Sequence, residues 1–339
     1  MIKEVLDKII NKKELSYQTL RRIFLGIMEK KFTPSQVAAF LTALRCKPNS
    51  LNEIKALAKV MRGKALKLRV QTKKGEPLLD TCGTGGKPVK TFNISTAVAL
   101  VVAAAGVKVA KHGNRSFSGV CGSMDIIEAL GVNIEAPPQR VESAIKEIGI
   151  GFLYAPLYHP AMKNVALVRR ELGIRTIFNI AGPLTNPAGA THQLLGVAER
   201  NLTEVLAKVL QSLGVKRAFV VWGEDVYDEI SITGKTKVSY LNNKRIRTFY
   251  LTPQDFGLKR GRFSQLKVST LAENIEIIKR VLEGKANASQ LNIVLANASA
   301  CFFLTGLVRN LKEGVKLAKD TIEKGKALEK LFQLKEFLS

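Results

Sequence analysis

The feature that most limits the fold is a change of residue pattern near position 75. Before it, apolar residues recur only at helical spacing, in Ile2–Ile10, Leu20–Met28, Val37–Leu44 and Ile54–Met61. Thr33-Pro34-Ser35 has the form of a helix cap with proline at the first helical position, and Ser50-Leu51-Asn52-Glu53 that of a capping box. Gly75-Glu76-Pro77 breaks this pattern. Beyond it, short apolar runs alternate with helical segments. Strands are expected to end at Leu78-Leu79-Asp80 and to run over Val107–Ala110, Gly151–Ala155, Leu194–Ala198 and Arg217–Trp222. Helices are expected over Ser95–Ala105, Met124–Leu130, Pro137–Ile148, Pro160–Leu172 and Leu202–Leu213, and again through the C-terminal region. Such βα alternation implies a buried, mostly parallel sheet with right-handed crossovers. The predicted class is therefore α/β: a small N-terminal all-helical domain, residues 1–72 joined by part of 160–190, and a large α/β domain over 75–339.

A hydrophobic fraction of 46% in 339 residues is enough to bury a substantial core. The N-terminus MIKEVLDKIINKKEL reads as the start of an amphipathic helix rather than a targeting signal, and the apolar stretch Thr96–Gly106 is too short to span a bilayer, so no membrane is expected. Cys46, Cys82, Cys121 and Cys301 are scattered without metal-ligand spacing, which predicts reduced thiols and a cytoplasmic location. The formal charge of +25 has two readings: a lysine-rich solvated surface or affinity for polyanions. No nucleic-acid module or basic tail accompanies it, which favours the first.

Four clusters carry chemistry. Asp80-Thr81-Cys82-Gly83-Thr84-Gly85-Gly86 follows a strand, where glycines let successive N–H groups surround an anion. Asn93-Ile94-Ser95-Thr96 opens a helix, and a helix N-terminus favours negative charge; simple capping is the competing explanation. Lys111-His112-Gly113-Asn114-Arg115-Ser116, with Ser118 and Gly122-Ser123 behind it, leaves a second strand and supplies cationic and hydroxyl donors. In a βα sheet such loops meet at the carboxyl ends of the strands, so two anion loops in one crevice suit a ligand with two phosphate groups. Third, Tyr158-His159-Pro160-Ala161-Met162 precedes Arg169, whose fork can hold a carboxylate bidentately, although packing and surface roles compete. Fourth, Asp228-Glu229 are oxygen donors of the kind Mg²⁺ prefers.

Taken in order, GTGG at 83–86, TFNIST at 91–96, KHGNRS at 111–116, GS-x-D at 122–125, YHPAM at 158–162, RTIFN at 175–179, GPLTNPA at 182–188 and Asp228-Glu229 resemble the anthranilate phosphoribosyltransferase family over essentially the whole chain. The resemblance implies a nucleoside phosphorylase/phosphoribosyltransferase-like fold and a homodimer formed through the helical domain. It implies transfer of the phosphoribosyl group from phosphoribosyl pyrophosphate to anthranilate, in tryptophan biosynthesis, by positioning and without a catalytic side chain. Gly83, Gly86, Lys87, Thr91, Asn93, Ile94, Ser95, Thr96, Lys111, His112, Gly113, Asn114, Arg115, Ser116, Phe117, Ser118, Gly119 and Ser123 would hold the phosphoribosyl pyrophosphate. Gly83, Asn114, His159, Arg169 and Pro183, with His112, would face the anthranilate. Ser95, Asp228 and Glu229 would organise Mg²⁺.

Two stretches depart from the family. Where it commonly shows Asp-Gly-x-Gly, this chain has Lys87-Pro88-Val89-Lys90, and a lysine of the next loop is replaced by Val120. Compensation is one explanation, with Lys87 and Lys90 restoring charge lost at 120; erosion of activity, or drift to another acceptor, is the other. A diverged nucleic-acid binder competes with the transferase, but such a binder has little use for His159, Arg169 and Asp228-Glu229. A pyrimidine nucleoside phosphorylase shares the KHGNRS-type loop; GPLTNPA together with YHPAM favours the transferase.

Overall fold

The structure is a computed structural model that describes residues 2–70, 72–73, 75–86, 89–116 and 121–339. Of the residues singled out above, Lys87, Pro88, Phe117, Ser118, Gly119 and Val120 lie outside the described residues.

The chain opens with four helices: α1 (Ile2–Ile10), α2 (Tyr17–Met28), α3 (Pro34–Arg45) and α4 (Leu51–Lys64). Their starts are fixed locally. Ser16 accepts from Thr19 N, and Thr33 with Gln36 and Ser50 with Glu53 complete reciprocal capping boxes. Each cap of this type contributes about 1 kcal/mol. Phe24 packs edge-on against Phe40 and against Phe178 from much later in the chain.

The remainder runs β1 (Leu78–Gly83), α5 (Ile94–Ala104), β2 (Lys108–Gly113), α6 (Ser123–Ala129), α7 (Pro138–Glu147), β3 (Ile150–Tyr154), α8 (Ala155–Tyr158), α9 (Lys163–Leu172), α10 (Phe178–Ala181), β4 (His192–Gly196), α11 (Leu202–Ser212), β5 (Arg217–Gly223), β6 (Thr236–Asn242), β7 (Arg245–Leu251), α12 (Leu271–Leu282), α13 (Ala288–Thr305), α14 (Leu311–Glu323) and α15 (Lys326–Leu338). The strands form one sheet in the order β3-β2-β1-β4-β5-β6-β7. The first five are parallel; β6 and β7 add an antiparallel edge. The fold is thus the helical region plus mostly parallel α/β sheet that the pattern predicts.

Chain order reverses at β1, which has β2 on one side and β4 on the other. Open α/β sheets bind ligands in the crevice beyond the strand ends at such a switch point. One sheet face is covered by α5 over β1–β3 and by α13 over β4 and β5, with α15 packed on α5. Residues 97–102 of α5 are wholly buried, as a helix apolar on all sides must be. The other face shares its core with the N-terminal helices: Leu195, Val220 and Leu241 join Phe24, Phe40 and Leu57 in one cluster. Val165, Val168, Phe178 and Leu184 belong to that cluster too. Among the described residues, α13 alone is long and apolar enough to cross a membrane, and 72% of it is buried inside the molecule.

Three boundaries differ from expectation. β1 and β2 continue through Gly83 and Gly113 because β4 and β3 pair with them that far, so Thr81-Cys82 and Lys111-His112 are strand residues rather than loop. The segment 160–172 is a 3-10 turn over Pro160–Met162 followed by α9, not one helix. The β6–β7 hairpin is a further element, turning at Asn243 with φ 55°.

Candidate active site

The inward ends of β1 and β2 are held by one buried polar system. Asp80 is fully buried; its carboxylate accepts from His112 N at 3.2 Å and from Asn186 Nδ2 at 2.8 Å. Burial pushes the Asp80 carboxyl up to about 6, against the Asn186 hydrogen bond and the Lys111 charge, which both favour the ionised form. Lys111 is also buried, and its Nζ donates to Thr81 O and to Ser95 Oγ. Burial lowers its ammonium pKa, while Asp80 raises it. The lysine therefore joins β1, β2 and the start of α5, with its charge below the crevice.

Asn93 occupies the cap position of α5, yet its side chain makes no cap bond. Instead Asn93 N donates to Asn274 Oδ1 at 2.9 Å, and Asn93 Oδ1 accepts from Thr96 Oγ1 at 2.9 Å. The simple capping explanation therefore fails for Asn93. On the neighbouring loop, Asp125 Oδ2 accepts from Ser116 N and Gly122 N, at 2.9 and 2.7 Å, which ties residues 114–116 to the start of α6.

The carboxylates arrive from beyond β5. A Cβ on Gly196 would fall 1.7 Å from Asp228 O, and one on Gly83 would lie 2.9 Å from Asp228 Oδ2, so only glycines let this segment cross β4 and β1. Asn297 of α13 holds the following residue, accepting from Ile230 N at 3.0 Å and donating to Ile230 O at 3.1 Å. Ser95, Asp228 and Glu229 present a hydroxyl and two carboxylates to the same space. That all-oxygen set fits Mg²⁺, which takes one or two carboxylates and fills its remaining positions with phosphate oxygens and water. Among the described residues no group of three His, Cys, Asp or Glu forms a protein-only cage.

These elements enclose a cavity of about 400 Å³. Gly83, Gly86, Thr91, Asn93, Ile94, Ser95, Lys111, His112, Gly113, Asn114, Arg115, Ser116, Ser123, Asp228 and Glu229 all line it. Thr96 does not; it is wholly buried behind Asn93. Arg115 also pairs with Glu128 at 2.8 Å. His159, Arg169 and Pro183 lie outside these walls. His159 is reached through His112, with ring centroids 5.1 Å apart. Burial lowers both imidazoles, His112 to about 3 and His159 to about 4, so both are neutral at pH 7. Among the described residues their buried Nε2 atoms have no hydrogen-bond partner. Arg169 is packed over the Phe178 ring at 5.4 Å, and Pro183 O accepts from Gln193 Nε2 at 2.6 Å.

Several lining residues carry no role in the sequence reading: Arg175, Asn179, Asn274 and Cys121. Arg175 Nη2 donates to Gly85 O at 3.1 Å, and a Cβ on Gly86 would sit 0.9 Å from Arg175 Nη1. RTIFN at 175–179 marks the segment but not this contact; nothing in the sequence marks Asn274.

The glycosyl transferase family matches in two parts, its helical bundle domain over residues 3–65 and its a/b domain over 75–328. Anthranilate phosphoribosyltransferase of Persephonella marina is 48% identical over 337 residues, 99% of each chain. The chain belongs to the anthranilate phosphoribosyltransferase family. Another member, from Desulfosudis oleivorans, is also 48% identical, over 99% of this chain and 98% of its own. The anthranilate phosphoribosyltransferase structure from Thermus thermophilus superposes with a TM-score of 0.90 at 41% identity, covering 98% of both chains. That from Saccharomyces cerevisiae, in complex with PRPP and Mg, gives 0.88 at 30% identity over 99% of this chain and 97% of its own.

Proposed function

We propose that this chain transfers the phosphoribosyl group of phosphoribosyl pyrophosphate to the amine of anthranilate, giving N-(5-phosphoribosyl)anthranilate and pyrophosphate. The observation that carries this reading is convergence. The glycine loop after β1, the start of α5, the 111–116 segment and the Asp228-Glu229 pair meet in one cavity at the switch point of the sheet. Family membership favours transfer over nucleic-acid binding.

In this reading Gly83, Gly86, Lys87, Thr91, Asn93, Ile94, Ser95, the segment Lys111–Ser116, Phe117, Ser118, Gly119 and Ser123 hold the phosphorylated ribose, with Thr96 acting through Asn93. Ser95, Asp228 and Glu229 would hold Mg²⁺, which when bound neutralises charge on the departing pyrophosphate. Gly83, Asn114, His112, His159, Arg169 and Pro183 receive the anthranilate. Arg169 suits a carboxylate, and the two neutral imidazoles offer polar atoms that a ligand can satisfy. The amine lone pair forms the bond to ribose C1 as the C1–oxygen bond breaks with its electron pair going to pyrophosphate; the amine proton passes to water. The side chains position and stabilise rather than react.

Residues 1–72 with part of 160–190 would form the contact of a cytoplasmic homodimer, the substrate-binding unit being 75–339. Exposed Ile10 and Leu167 support that surface. Sedimentation should give a dimer; a monomer at micromolar concentration rejects this part of the reading. For the reaction, purified protein with Mg²⁺ and phosphoribosyl pyrophosphate should abolish anthranilate fluorescence. No turnover by folded protein rejects the proposed reaction.

A further inference from the structure

The antiparallel edge of the sheet holds a second cavity, of about 450 Å³, made from none of the residues assigned to transfer. Strand register builds it. Phe219 pairs with Tyr240 and Tyr240 with Arg247, while Arg217 pairs with Asn242 and Asn242 with Arg245, so these side chains share one sheet face. Phe249 lies on that face two residues beyond Arg247, and Phe303 of α13 closes over it. Phe219 meets Tyr240 edge-on at 4.9 Å, Phe249 at 6.1 Å and Phe303 at 5.8 Å, which gives the cavity an aromatic floor.

The charge around this floor is all of one sign. Arg217 is already engaged, donating to the Tyr240 hydroxyl at 2.7 Å and lying over the rings of Tyr240 and Phe303. Arg245 and Arg247 are exposed, line the cavity and form no ion pair among the described residues. Among the described residues no acidic side chain lines it. Arginines on an edge strand guard against unwanted strand pairing, and that accounts for their charge. It does not account for the half-buried rings of Tyr240, Phe249 and Phe303 beneath them. A volume within the usual range for small-molecule sites, apolar walls and a few convergent donors describe a ligand pocket.

We propose that this cavity binds a small planar aromatic anion, with its ring on Tyr240, Phe249 and Phe303 and its carboxylate or phosphate on Arg245 and Arg247. Ring stacking supplies the contact area, and the two guanidinium forks select for charge. A carboxylate and a phosphate present the same chemistry to these donors, so two probes separate the sources.

Indole-3-propionate and AMP, titrated calorimetrically into the full chain, test the proposal, with propionate, inorganic phosphate and indole as controls. At least one ring-bearing anion should bind saturably, one per chain, and at least tenfold more tightly than any control. Tighter binding of AMP identifies a phosphate ligand, and tighter binding of indole-3-propionate a carboxylate. Arg247→Gln, at an exposed position, should weaken that binding tenfold or more, as should Phe249→Leu. Absence of saturable binding, equal binding of a control, or binding unchanged by R247Q overturns the proposal. So does R247Q-sensitive binding of single-stranded oligonucleotides in place of the monomeric probes. Arg247 and Phe249 line none of the active-site cavity, so it is the loss of binding in R247Q and in Phe249→Leu that separates this proposal from the transferase reading.

Discussion

Asp80 and Lys111 show how much the candidate site depends on charges that never reach solvent. Each is fully buried, and each is offset by the other and by hydrogen bonds from Asn186 and to Ser95. Removing one partner of such a system leaves the other charge uncompensated, at a cost of about 3–5 kcal/mol. Asp80→Asn should therefore lower the urea unfolding free energy by that amount; a loss below about 1 kcal/mol would mean that Lys111 is neutral in the folded protein. Gly86 supplies a second test. Its φ of 78° and the 0.9 Å approach of Arg175 to a built Cβ leave no room for alanine. Gly86→Ala should displace Arg175 from Gly85 O and raise the KM for phosphoribosyl pyrophosphate about tenfold, within the 1–3 kcal/mol typical of a non-glycine residue in this conformation. An unchanged KM would remove the loop from the site. At this scale the sequence shows residue types more readily than partners. The sequence marks Lys111 as a candidate phosphate-site cation but not its bond to Thr81 O, which needs β1 and β2 to extend through residues that read as loop. Arg175 reaches Gly85 O because the segment between α9 and α10 lies against the loop after β1, a relation that no local pattern encodes.

The elements that carry the site were legible where a single period governs them. α5 reads as a buried helix because nearly every side chain is small or apolar, and β1, β2 and β4 read as short runs bounded by glycine. The β6–β7 hairpin is not legible, although Thr236–Asn242 and Arg245–Leu251 alternate around a two-residue turn, because its apolar and polar positions are mixed by the aromatic and arginine face. α13 is the least expected contributor. The sequence marks it only as one of the C-terminal helices, yet Asn297 within it satisfies both backbone groups of Ile230, next to Glu229. Asn297→Ala orphans a buried N–H and a buried C=O, at about 1–3 kcal/mol each. We expect a matching loss of stability together with a severalfold rise in the Mg²⁺ concentration needed for half-maximal turnover. Loss of stability without that rise would show that α13 does not position the carboxylates.

For the whole molecule, acid sensitivity follows from the three histidines. Burial pushes His112 down to about 3 and His159 and His192 to about 4. As pH falls below the unfolded value near 6.5, the unfolded chain takes up protons that the folded chain refuses, so stability is lost from about pH 6.5 down to about pH 4. Asp80 acts in the opposite sense: its raised pKa makes the fold less stable as pH rises from about 4 to about 6. Three groups outweigh one, and the melting temperature should fall steadily on acidification across this window. A flat profile would mean that the imidazoles are protonated in the folded state. The charge of +25 is global in a different way: it is spread over the length of the chain, and among the described residues only Lys90, Lys111, Arg115 and Arg175 of it line the active-site cavity. The most direct test of that cavity is calorimetric titration of phosphoribosyl pyrophosphate with Mg²⁺ and then with chelator. One site per chain that requires Mg²⁺ and is lost in Glu229→Gln is the predicted result; no binding, or equal binding without the metal, would contradict it.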